Sequence, residues 1–481
     1  MARSLIFPVT DFSTMPARSE RSVSRGLSAW SLFFSILLGL SLAGCQRVDS
    51  ASDRSAESPP DGLAAPRSVL ILDIDTLRAD RLGCYGNERA TSPRIDALAE
   101  RGVRFEWAFS QAPLTPPSQA SILTGMYPSS HGVVGRGARL AREHLTLAEI
   151  FRRQGFQTAG FVDGGYMNRG FGMGQGFRLY ADRRAGLEGI GPQVLDWLDD
   201  HGGEPFLLLV HTYDVHTPYD PPEPYRSLFL DEIAASTEGF EPTSAAMETV
   251  RRAVWWDAEA RLPERDIAYA LALYDAGIRY VDDWVGRIVD RLAALDLLES
   301  TLIVVISDHG EEFQEHGSVL HETLYSTVTR VPLILSFAPW GPSKVVSQTV
   351  ETVDLMPTLL EVVDAPIPRP VQGESLAPLL AGRSMRERPA ISESRLFGRQ
   401  RAVALGDLRM IYHLRDSTTE VFEFRRDPLE QAPLEAADVR ALRKALWEWR
   451  ERVEELPPPD AAPSPIRKEV VDSLKALGYL Q

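Results

Sequence analysis

Short apolar runs of strand length recur along the chain and alternate with stretches of helical periodicity. Such runs occupy residues 69–74, 158–162, 206–210, 302–306 and 333–335, and their length and composition are typical of buried strands. In the best helical stretch, apolar residues recur at gaps of four and three and so share one face. They are Ile267, Leu271, Tyr274, Ile278, Val281, Val285, Ile288 and Leu292. We therefore predict an α/β fold, a large, mostly parallel sheet with helices on both faces.

The pattern changes near residue 385. Residues 401–413 and 418–428 read as strands of a small antiparallel sheet, and residues 466–480 read as a closing helix and tail. We predict a large α/β domain over 67–384 and a smaller C-terminal α+β portion over 385–481.

The N-terminal segment has the pattern of an export signal. Arg18, Arg21 and Arg25 precede an apolar run over 30–43, which is shorter than the ~18–20 residues that a spanning helix needs. The run closes on "LAGC", which resembles a bacterial lipobox with Cys45 as the lipidated residue. We expect a lipoprotein signal peptide over 1–45, a flexible tether over 46–66, and a membrane-anchored protein of the periplasm or cell envelope. An uncleaved anchor helix is the alternative.

Composition narrows the class of partner. The chain has 481 residues, 44% hydrophobic and 25% charged, with a net charge of −16. This acidic balance argues against nucleic acid as a partner. Of the two cysteines, Cys84 has no partner if Cys45 is lipidated, so we expect no disulfide.

Acids and histidines gather where the predicted strands end. In a parallel sheet, the carboxyl ends of the strands form the ligand-binding edge. The polar residues there are Asp73, Asp75, His211, Asp214, His216, Asp308, His309, His316 and His321. Carboxylates and imidazoles that converge from separate strands suit a divalent metal ion. Asp residues that cap turns, with solvated His residues, are the alternative for any one of them.

A threonine stands at the start of a short predicted helix in "PLTPPSQASILTG". We predict Thr115 as the N-cap and Pro116 as the first helical residue, with Gly125 and Pro128 ending the helix. A nearby metal would lower the pKa of the Thr115 hydroxyl and make it a nucleophile. An ordinary capping role is the alternative.

From about residue 67 onward the chain resembles the sulfatase family of the alkaline phosphatase superfamily. The matching segments fall in family order: "DIDTLRADRLGCYG", "TSPRIDALAERGVRFEWAF", "ILTGMYPSSHGV", "HTPYDPP", "SDHGEEFQEHG", "RVPLIL", "VDLMPTLLEVV" and "VFEFRRDPLEQ". The resemblance implies an alkaline phosphatase-like fold and a metal-dependent ester hydrolase.

The sequence departs from this family at the nucleophile. Typical sulfatases have a Cys or Ser, followed by x-Pro-Ser-Arg, and oxidise it to formylglycine. Here Thr115 takes that position, and Gln119 replaces the arginine. The family's "GKWHLG" lysine segment is absent, and His321 stands at the later lysine position. The resemblance therefore implies an unmodified Thr nucleophile, as in the phosphodiesterases and phosphotransferases of the superfamily.

The resemblance also implies a metal site. Asp75, Asp308 and His309 would bind the ion, with Thr115 as a fourth, reacting ligand. Mn²⁺ or Zn²⁺ is favoured because imidazole suits transition ions, while Ca²⁺ or Mg²⁺ stays open.

Other positions have less certain implied roles. Thr76 stands where sulfatases often have a second aspartate, for which Asp73 could compensate unless it only hydrogen-bonds locally. His216 and His321 match positions that contact the ester or its leaving group. They could instead hold a second metal, with Asp214 as the candidate acid.

The expected function is hydrolysis of a sulfate or phosphate mono- or diester through Thr115. The substrate would be a small-molecule, glycan or lipid ester. Two alternatives stay open: a phosphoryl-group transferase that modifies an envelope component, and a catalytically dead envelope-binding protein.

The lipobox resemblance gives the first testable prediction. Cys45→Ala should abolish membrane association without unfolding the exported domain, because the residue that receives the lipid is lost. Fractionation of cells expressing each form, followed by immunoblotting, measures this. Retention of the variant in the membrane fraction after removal of the signal would contradict a lipid anchor.

Overall fold

A computed structural model describes residues 62–230, 241–257, 259–395, 399–454 and 468–479. The predicted signal peptide, Cys45 and the tether as far as residue 61 lie outside the described residues. The chain divides into a segment over 1–55 and a unit over 56–481, and every described residue belongs to the second. None of the helices in the described ranges is long and apolar enough to cross a membrane.

The described strands form three sheets. In chain order they are β1 (Ser68–Ile74), β2 (Gly102–Phe109), β3 (Gln157–Val162), β4 (Leu179–Ala181), β5 (Phe206–Thr212), β6 (Thr301–Ile306), β7 (Glu312–Phe313), β8 (Val319–Leu320), β9 (Arg330–Ser336), β10 (Lys344–Glu351), β11 (Ala390–Ser394), β12 (Gln400–Leu405), β13 (Leu408–His413) and β14 (Thr419–Phe422).

The described α-helices accompany these strands. They are α1 (Pro93–Ala99), α2 (Thr115–Thr124), α3 (Pro128–His131), α4 (Leu147–Arg153), α5 (Gly186–His201), α6 (Ser244–Trp256), α7 (Glu264–Ala294), α8 (Ser326–Thr329), α9 (Leu355–Val362), α10 (Ala377–Leu380), α11 (Arg440–Glu454) and α12 (Lys468–Ala476).

The largest sheet has eight strands in the order β10-β2-β9-β6-β1-β5-β3-β4. All neighbours pair in parallel except at β9, which runs antiparallel to both β2 and β6. Every residue of β1, β5 and β6 is buried, because helices cover both faces of the sheet. The predicted fold class, a large mostly parallel sheet with helices, is confirmed.

The periodic segment forms the long helix α7, as predicted. Tyr274, Ile278, Val281, Val285 and Ile288 are all buried on its sheet-facing side. The apolar gaps of four and three therefore mark the stripe that α7 packs on the sheet.

The sequence pattern missed strands β2 and β10. In β2, the intermediate positions Arg104 and Glu106 interrupt the apolar residues. The first half of β10 alternates between partly exposed and exposed residues because it forms the edge of the sheet. The pattern also gave no strand direction, so the reversal of β9 is a finding of the structure.

The predicted small antiparallel sheet is present, in the order β11-β12-β13-β14. It packs on β2 through aromatic contacts. The Phe424 ring lies 4.9 Å from that of Trp107 and 5.7 Å from that of Phe109, both edge-on. Strand β11, which the sequence did not predict, is held to the main domain by its backbone: Ile391 N donates to the Glu351 carboxylate at 2.8 Å.

A buried ion pair joins the small sheet to the segment after β6. Arg409 of β13 pairs with Glu430 at 2.8 Å, and neither side chain is more than 1% exposed. Arg409 also donates to Leu324 O and Thr329 Oγ1, and the Glu430 carboxylate accepts from Ser326 N at 2.8 Å. Both charges are therefore satisfied only when the small sheet is docked.

We expect Arg409→Met to destabilise the protein by about 3–5 kcal/mol, because it leaves the Glu430 carboxylate buried without its partner. Denaturant unfolding followed by circular dichroism measures the loss. Arg426→Met is the matched control: Arg426 pairs with Glu423 but is 81% exposed, so we expect a change within about 0.5 kcal/mol. Adding Glu430→Gln to Arg409→Met should recover part of the loss, and equal losses in the two single variants would contradict a structural role for the pair.

Candidate active site

Three adjacent parallel strands end at the same edge of the large sheet. β1 lies between β5 and β6, with Asp73 in register with His211 on one side and Ile306 on the other. The residues that follow these strand ends are consequently brought together. Asp75 comes directly after β1, and Asp308 and His309 follow β6.

Asp75, Asp308 and His309 form the group of donors that could hold a metal ion. All three are fully buried, and one ligand atom from each lies within 4.8 Å of the others. His309 Nδ1 lies 3.0 Å from Gly310 O, so Nδ1 bears the proton and Nε2 turns its lone pair toward the carboxylates. Asp75 Oδ1 and Asp308 Oδ2 have no hydrogen-bond partner within the described ranges.

The electrostatics of this group fit a divalent cation. Burial and the neighbouring Asp308 carboxylate raise the pKa of Asp75 well above its usual range. Burial, partly opposed by His211, raises the pKa of Asp73 to about 7. Orphaned carboxylate oxygens and an imidazole lone pair that face one another lack positive charge, which a bound cation supplies.

Thr115 lies at this group, although not as the predicted N-cap. The structure places the start of α2 one residue earlier: Leu114 is the extended N-cap residue and Thr115 is the first helical residue. The Thr115 hydroxyl makes no cap. It donates to Asp75 Oδ2 at 3.1 Å and lies 3.3 Å from His309 Nε2.

The sequence of α2 explains how this threonine is held. Pro116 and Pro117 fall in the first turn, where a missing N–H costs no intrahelical bond. Ser118 Oγ donates to Asp308 O at 2.6 Å and so ties the helix to the end of β6. Gly125 ends the helix with φ 66°, a conformation that glycine adopts without strain.

Two further predicted residues face away from the metal donors. Gln119 Nε2 donates to Asp73 Oδ2 at 2.6 Å, so the group that replaces the family arginine pairs with the carboxylate at the end of β1. The Thr76 hydroxyl turns back to Asp75 O at 2.7 Å. Thr76 has φ 58°, unusual for a β-branched residue, and Tyr274 Oη holds it by donating to Thr76 O at 2.7 Å.

His216 and His321 lie next to the donor group with their Nε2 atoms facing inward. His216 Nδ1 is 2.6 Å from Thr217 O, and His321 Nδ1 is 3.0 Å from Glu311 Oε1, so in each ring Nδ1 bears the proton. Burial lowers the pKa of His216 to about 3 and the pKa of His321 well below its usual range. Burial therefore disfavours the protonated form of both rings.

The structure keeps Asp214 and His316 apart from this group. Asp214 Oδ2 accepts from Leu187 N and Thr212 Oγ1, both at 2.7 Å, and so fixes the start of α5. It is not brought to His216 and His321 as the acid of a second metal site. The His316 ring stacks on Tyr325 at 3.5 Å.

Sequence reasoning named His211 only among the polar residues at the strand ends, and it gave no role to Glu311 or Tyr479. His211 is fully buried with its Nε2 3.6 Å from Asp75 Oδ2, and neither ring nitrogen has a hydrogen-bond partner in the described part of the chain. Glu311 fixes the His321 ring, and its place in "SDHGEE" was the signal for it. Tyr479 Oη lies 2.6 Å from His216 Nε2, and no motif marked it.

Comparisons with known proteins identify the family and the fold. The sulfatase family model matches residues 67–365, and a model for the C-terminal region of N-sulphoglucosamine sulphohydrolase matches residues 314–455. An arylsulfatase of Clostridium perfringens (strain 13 / Type A) is 25% identical over 429 residues, which cover 76% of this chain and 89% of the relative.

Two solved structures share the fold. One, in complex with its substrate D-glucosamine-2-N,6-O-disulfate, matches with a TM-score of 0.67 at 20% identity, over 82% of this chain and 98% of the other. A phosphonate monoester hydrolase of Agrobacterium radiobacter matches with a TM-score of 0.64 at 20% identity, over 81% and 95%. The sulfatase family model matches more than half of the residues of this chain, so the chain belongs to the sulfatase family.

Proposed function

We propose that this chain is a metal-dependent hydrolase of sulfate or phosphate esters and that unmodified Thr115 is its nucleophile. The observation that supports this is the position of the Thr115 hydroxyl. It is 3.1 Å from Asp75 Oδ2 and 3.3 Å from His309 Nε2, inside the one group of described residues with the donors for a metal.

Asp75, Asp308 and His309 would hold the ion. A divalent cation there would lower the pKa of the neighbouring hydroxyl and offset negative charge on the ester oxygens. The mixed donor set of two carboxylates and one imidazole suits Mn²⁺ or Zn²⁺ better than Ca²⁺, which prefers oxygen ligands.

The hydrogen bond of Thr115 orients it for attack. Its proton points at Asp75 Oδ2, which leaves a lone pair of Oγ1 for the sulfur or phosphorus centre. In the proposed reaction, the Oγ1–S or Oγ1–P bond forms as the Thr115 proton passes to Asp75 Oδ2 and from there to solvent. The bond to the bridging ester oxygen breaks, and that oxygen takes a proton from solvent and leaves as the alcohol. Water then hydrolyses the Thr115 ester.

His216 and His321 suit hydrogen bonding at the ester. Their Nδ1 atoms lie on Thr217 O and Glu311 Oε1, and each Nε2 faces the Tyr479 hydroxyl. Burial lowers the pKa of both rings and so disfavours proton uptake by either. We propose that one of them positions the attacking water by accepting a hydrogen bond from it.

The names of the relatives limit the substrate class but do not identify one substrate. An arylsulfatase and a phosphonate monoester hydrolase are among the proteins that this chain resembles. We propose a sulfate or phosphate ester of a small molecule or glycan. The buried donor group and the paired Thr115 hydroxyl argue against a catalytically dead binding protein, since a binding role needs neither.

The nucleophile gives a direct prediction. Thr115→Ala should lower kcat on the best ester by at least about a thousandfold, because no hydroxyl is left to attack. The loss of its hydrogen bonds should change stability by only about 1 kcal/mol. Thr115→Ser should keep measurable activity, and the intact mass of the parent should show no formylglycine. A panel of aryl sulfate, phosphate and phosphonate esters, assayed with added metal, measures this.

Thr124→Ala is the matched control. Thr124 is a buried threonine of the same helix, and its hydroxyl donates to Ala120 O at 2.6 Å, away from the metal donors. Its removal should leave kcat within about twofold. If Thr115→Ala hydrolyses the best ester as fast as the parent, another group or a water is the nucleophile and the proposal is wrong.

Metal content gives a second prediction. Asp308→Ala and His309→Ala should each lose most of the bound metal, because few donors hold it. Elemental analysis of gently purified protein should find Mn or Zn in the parent. Asp214→Asn is the control, since that carboxylate caps α5 outside the donor group, and it should keep the parent's metal. Full occupancy in both donor variants, or calcium alone in the parent, would contradict the assignment.

A further inference from the structure

The C-terminal end of the described chain reaches into the active site. We call residues 468–479 the tail. It consists of α12 (Lys468–Ala476) followed by Leu477, Gly478 and Tyr479. Tyr479 Oη lies 2.6 Å from His216 Nε2 and 3.4 Å from His321 Nε2. Its ring packs 4.8 Å from that of Tyr166, and the Arg136 guanidinium lies over its other side at 5.5 Å.

The hydroxyl at the tip of the tail meets both histidines. Tyr479 Oη lies within hydrogen-bond distance of the two Nε2 atoms, and the shorter contact is to His216. The hydroxyl thus occupies a position that both histidines line.

Besides the contacts of Tyr479, a small set of described contacts holds the tail. Val470, Leu474 and Leu477 are its buried apolar residues. One polar contact, Gly165 N to Ser473 Oγ at 3.1 Å, joins α12 to the loop after β3. The remaining positions of α12 are exposed or partly exposed. A short segment with so few buried side chains belongs to the less stable part of a structure, which opens without global unfolding.

Cavities lie on both sides of the tail. One of 630 Å³ includes Tyr219, Ser244 and Lys475 in its wall, and another of 930 Å³ includes Asp163, Arg184 and Ser473. Ala476 lines both of them, so the tail separates them. A third, of only 20 Å³, lies at the tip of the tail between His216, His321 and Tyr479. The tail therefore lies between these spaces and over the histidines at its tip.

Thr115 is closed to solvent in this structure. The Thr115 residue is 1% exposed, and Asp75, Asp308 and His309 are fully buried. None of these four residues lines any of the three cavities. Substrate entry requires an opening above these residues, and the tail is the segment that contacts His216 and His321 there.

We propose that the tail fills the cleft over Thr115 in this chain and that its phenolic Tyr479 takes the place of a substrate group beside His216 and His321. Tail and substrate then exclude each other, and the resting protein is closed. The assignment of the substrate position rests on the proposed function, whereas the contact of the tail with the two histidines does not.

Mutual exclusion has a reciprocal consequence that can be measured. If the tail is docked in about nine molecules of ten, the apparent affinity for a ligand of the same cleft falls about tenfold. By linkage, a saturating ligand must increase the undocked fraction by the same factor. A tyrosine with only a structural role would produce neither effect.

The test uses the metal-loaded full chain and phenylphosphonate, an aryl group on a tetrahedral anion that is not an ester. Calorimetry gives its Kd for the parent, Tyr479→Ala, Tyr479→Phe and, as a matched control, Glu469→Gln on the exposed side of the same helix. Mass spectrometry follows tryptic cleavage after Lys468 and Lys475, with and without saturating phenylphosphonate. Tyr479→Phe removes only the hydroxyl and keeps the packing of the ring, so it tests the contact even if Tyr479→Ala fails to fold.

We expect Tyr479→Ala to bind phenylphosphonate about tenfold more tightly than the parent, Tyr479→Phe to lie between them, and Glu469→Gln to match the parent. Saturating phenylphosphonate should accelerate cleavage of the parent tail about tenfold. Equal Kd values with unchanged cleavage would overturn the proposal. So would weaker binding and lower kcat in both tyrosine variants, which would make Tyr479 a catalytic residue. Kd and cleavage require no turnover, so they remain decisive even if Thr115→Ala stays active and the proposed function fails.

Discussion

The arrangement around Thr115 depends on one electrostatic constraint: carboxylates buried side by side cannot all keep their charge without a cation among them. Asp73, Asp75 and Asp308 are buried at the ends of the neighbouring strands β1 and β6. The side-chain donors that hydrogen-bond to them are neutral, the Gln119 amide and the Thr115 hydroxyl among them. Without a cation, this shortage of positive charge destabilises the folded protein. The same shortage makes the cluster a favourable site for a metal ion.

The small sheet matters to the active site through the segment over 307–329. Arg409 and Glu430 hold the backbone of that segment at Leu324 and Ser326. His321 lies a few residues before these contacts, and its ring orientation is fixed by Glu311 from the start of the same segment. The C-terminal portion therefore supports one wall of the site.

The sequence could predict the parts of the site that local chemistry specifies. β1, β5 and β6 are continuous apolar runs, and Asp75, Asp308 and His309 follow them directly, so strand ends and donors were found together. Contacts between distant segments had no such signal. Tyr479 meets His216 across 263 positions, and nothing in its neighbourhood distinguishes it from a surface tyrosine. Asp214 has the carboxylate that a metal ligand needs, but that carboxylate accepts a hydrogen bond from the backbone at the start of α5 instead.

The start of α2 shows the limit of local rules in another way. Thr followed by two prolines matches an N-cap, yet the Thr115 hydroxyl is taken by Asp75, and the helix begins one residue earlier. A partner distant in sequence outcompeted the cap. The two family matches, over 67–365 and 314–455, overlap over 314–365, from the segment after β6 through β9, β10 and α9. This overlap agrees with a chain whose two sheets share buried contacts.

The reversal of β9 decides where the chain can vary. Because β9 runs antiparallel to β6, the connection over 307–329 leaves and re-enters the sheet at the same edge. A parallel β9 would need a crossover to the far edge, which would carry part of that connection away from the metal donors. Here the whole connection remains over the site, so insertions or deletions within it would reshape the cleft while the sheet keeps its register. Substrate range in this architecture can thus diverge through a single hairpin-like excursion, as long as Asp308, His309 and His321, which lie in that connection, keep their positions.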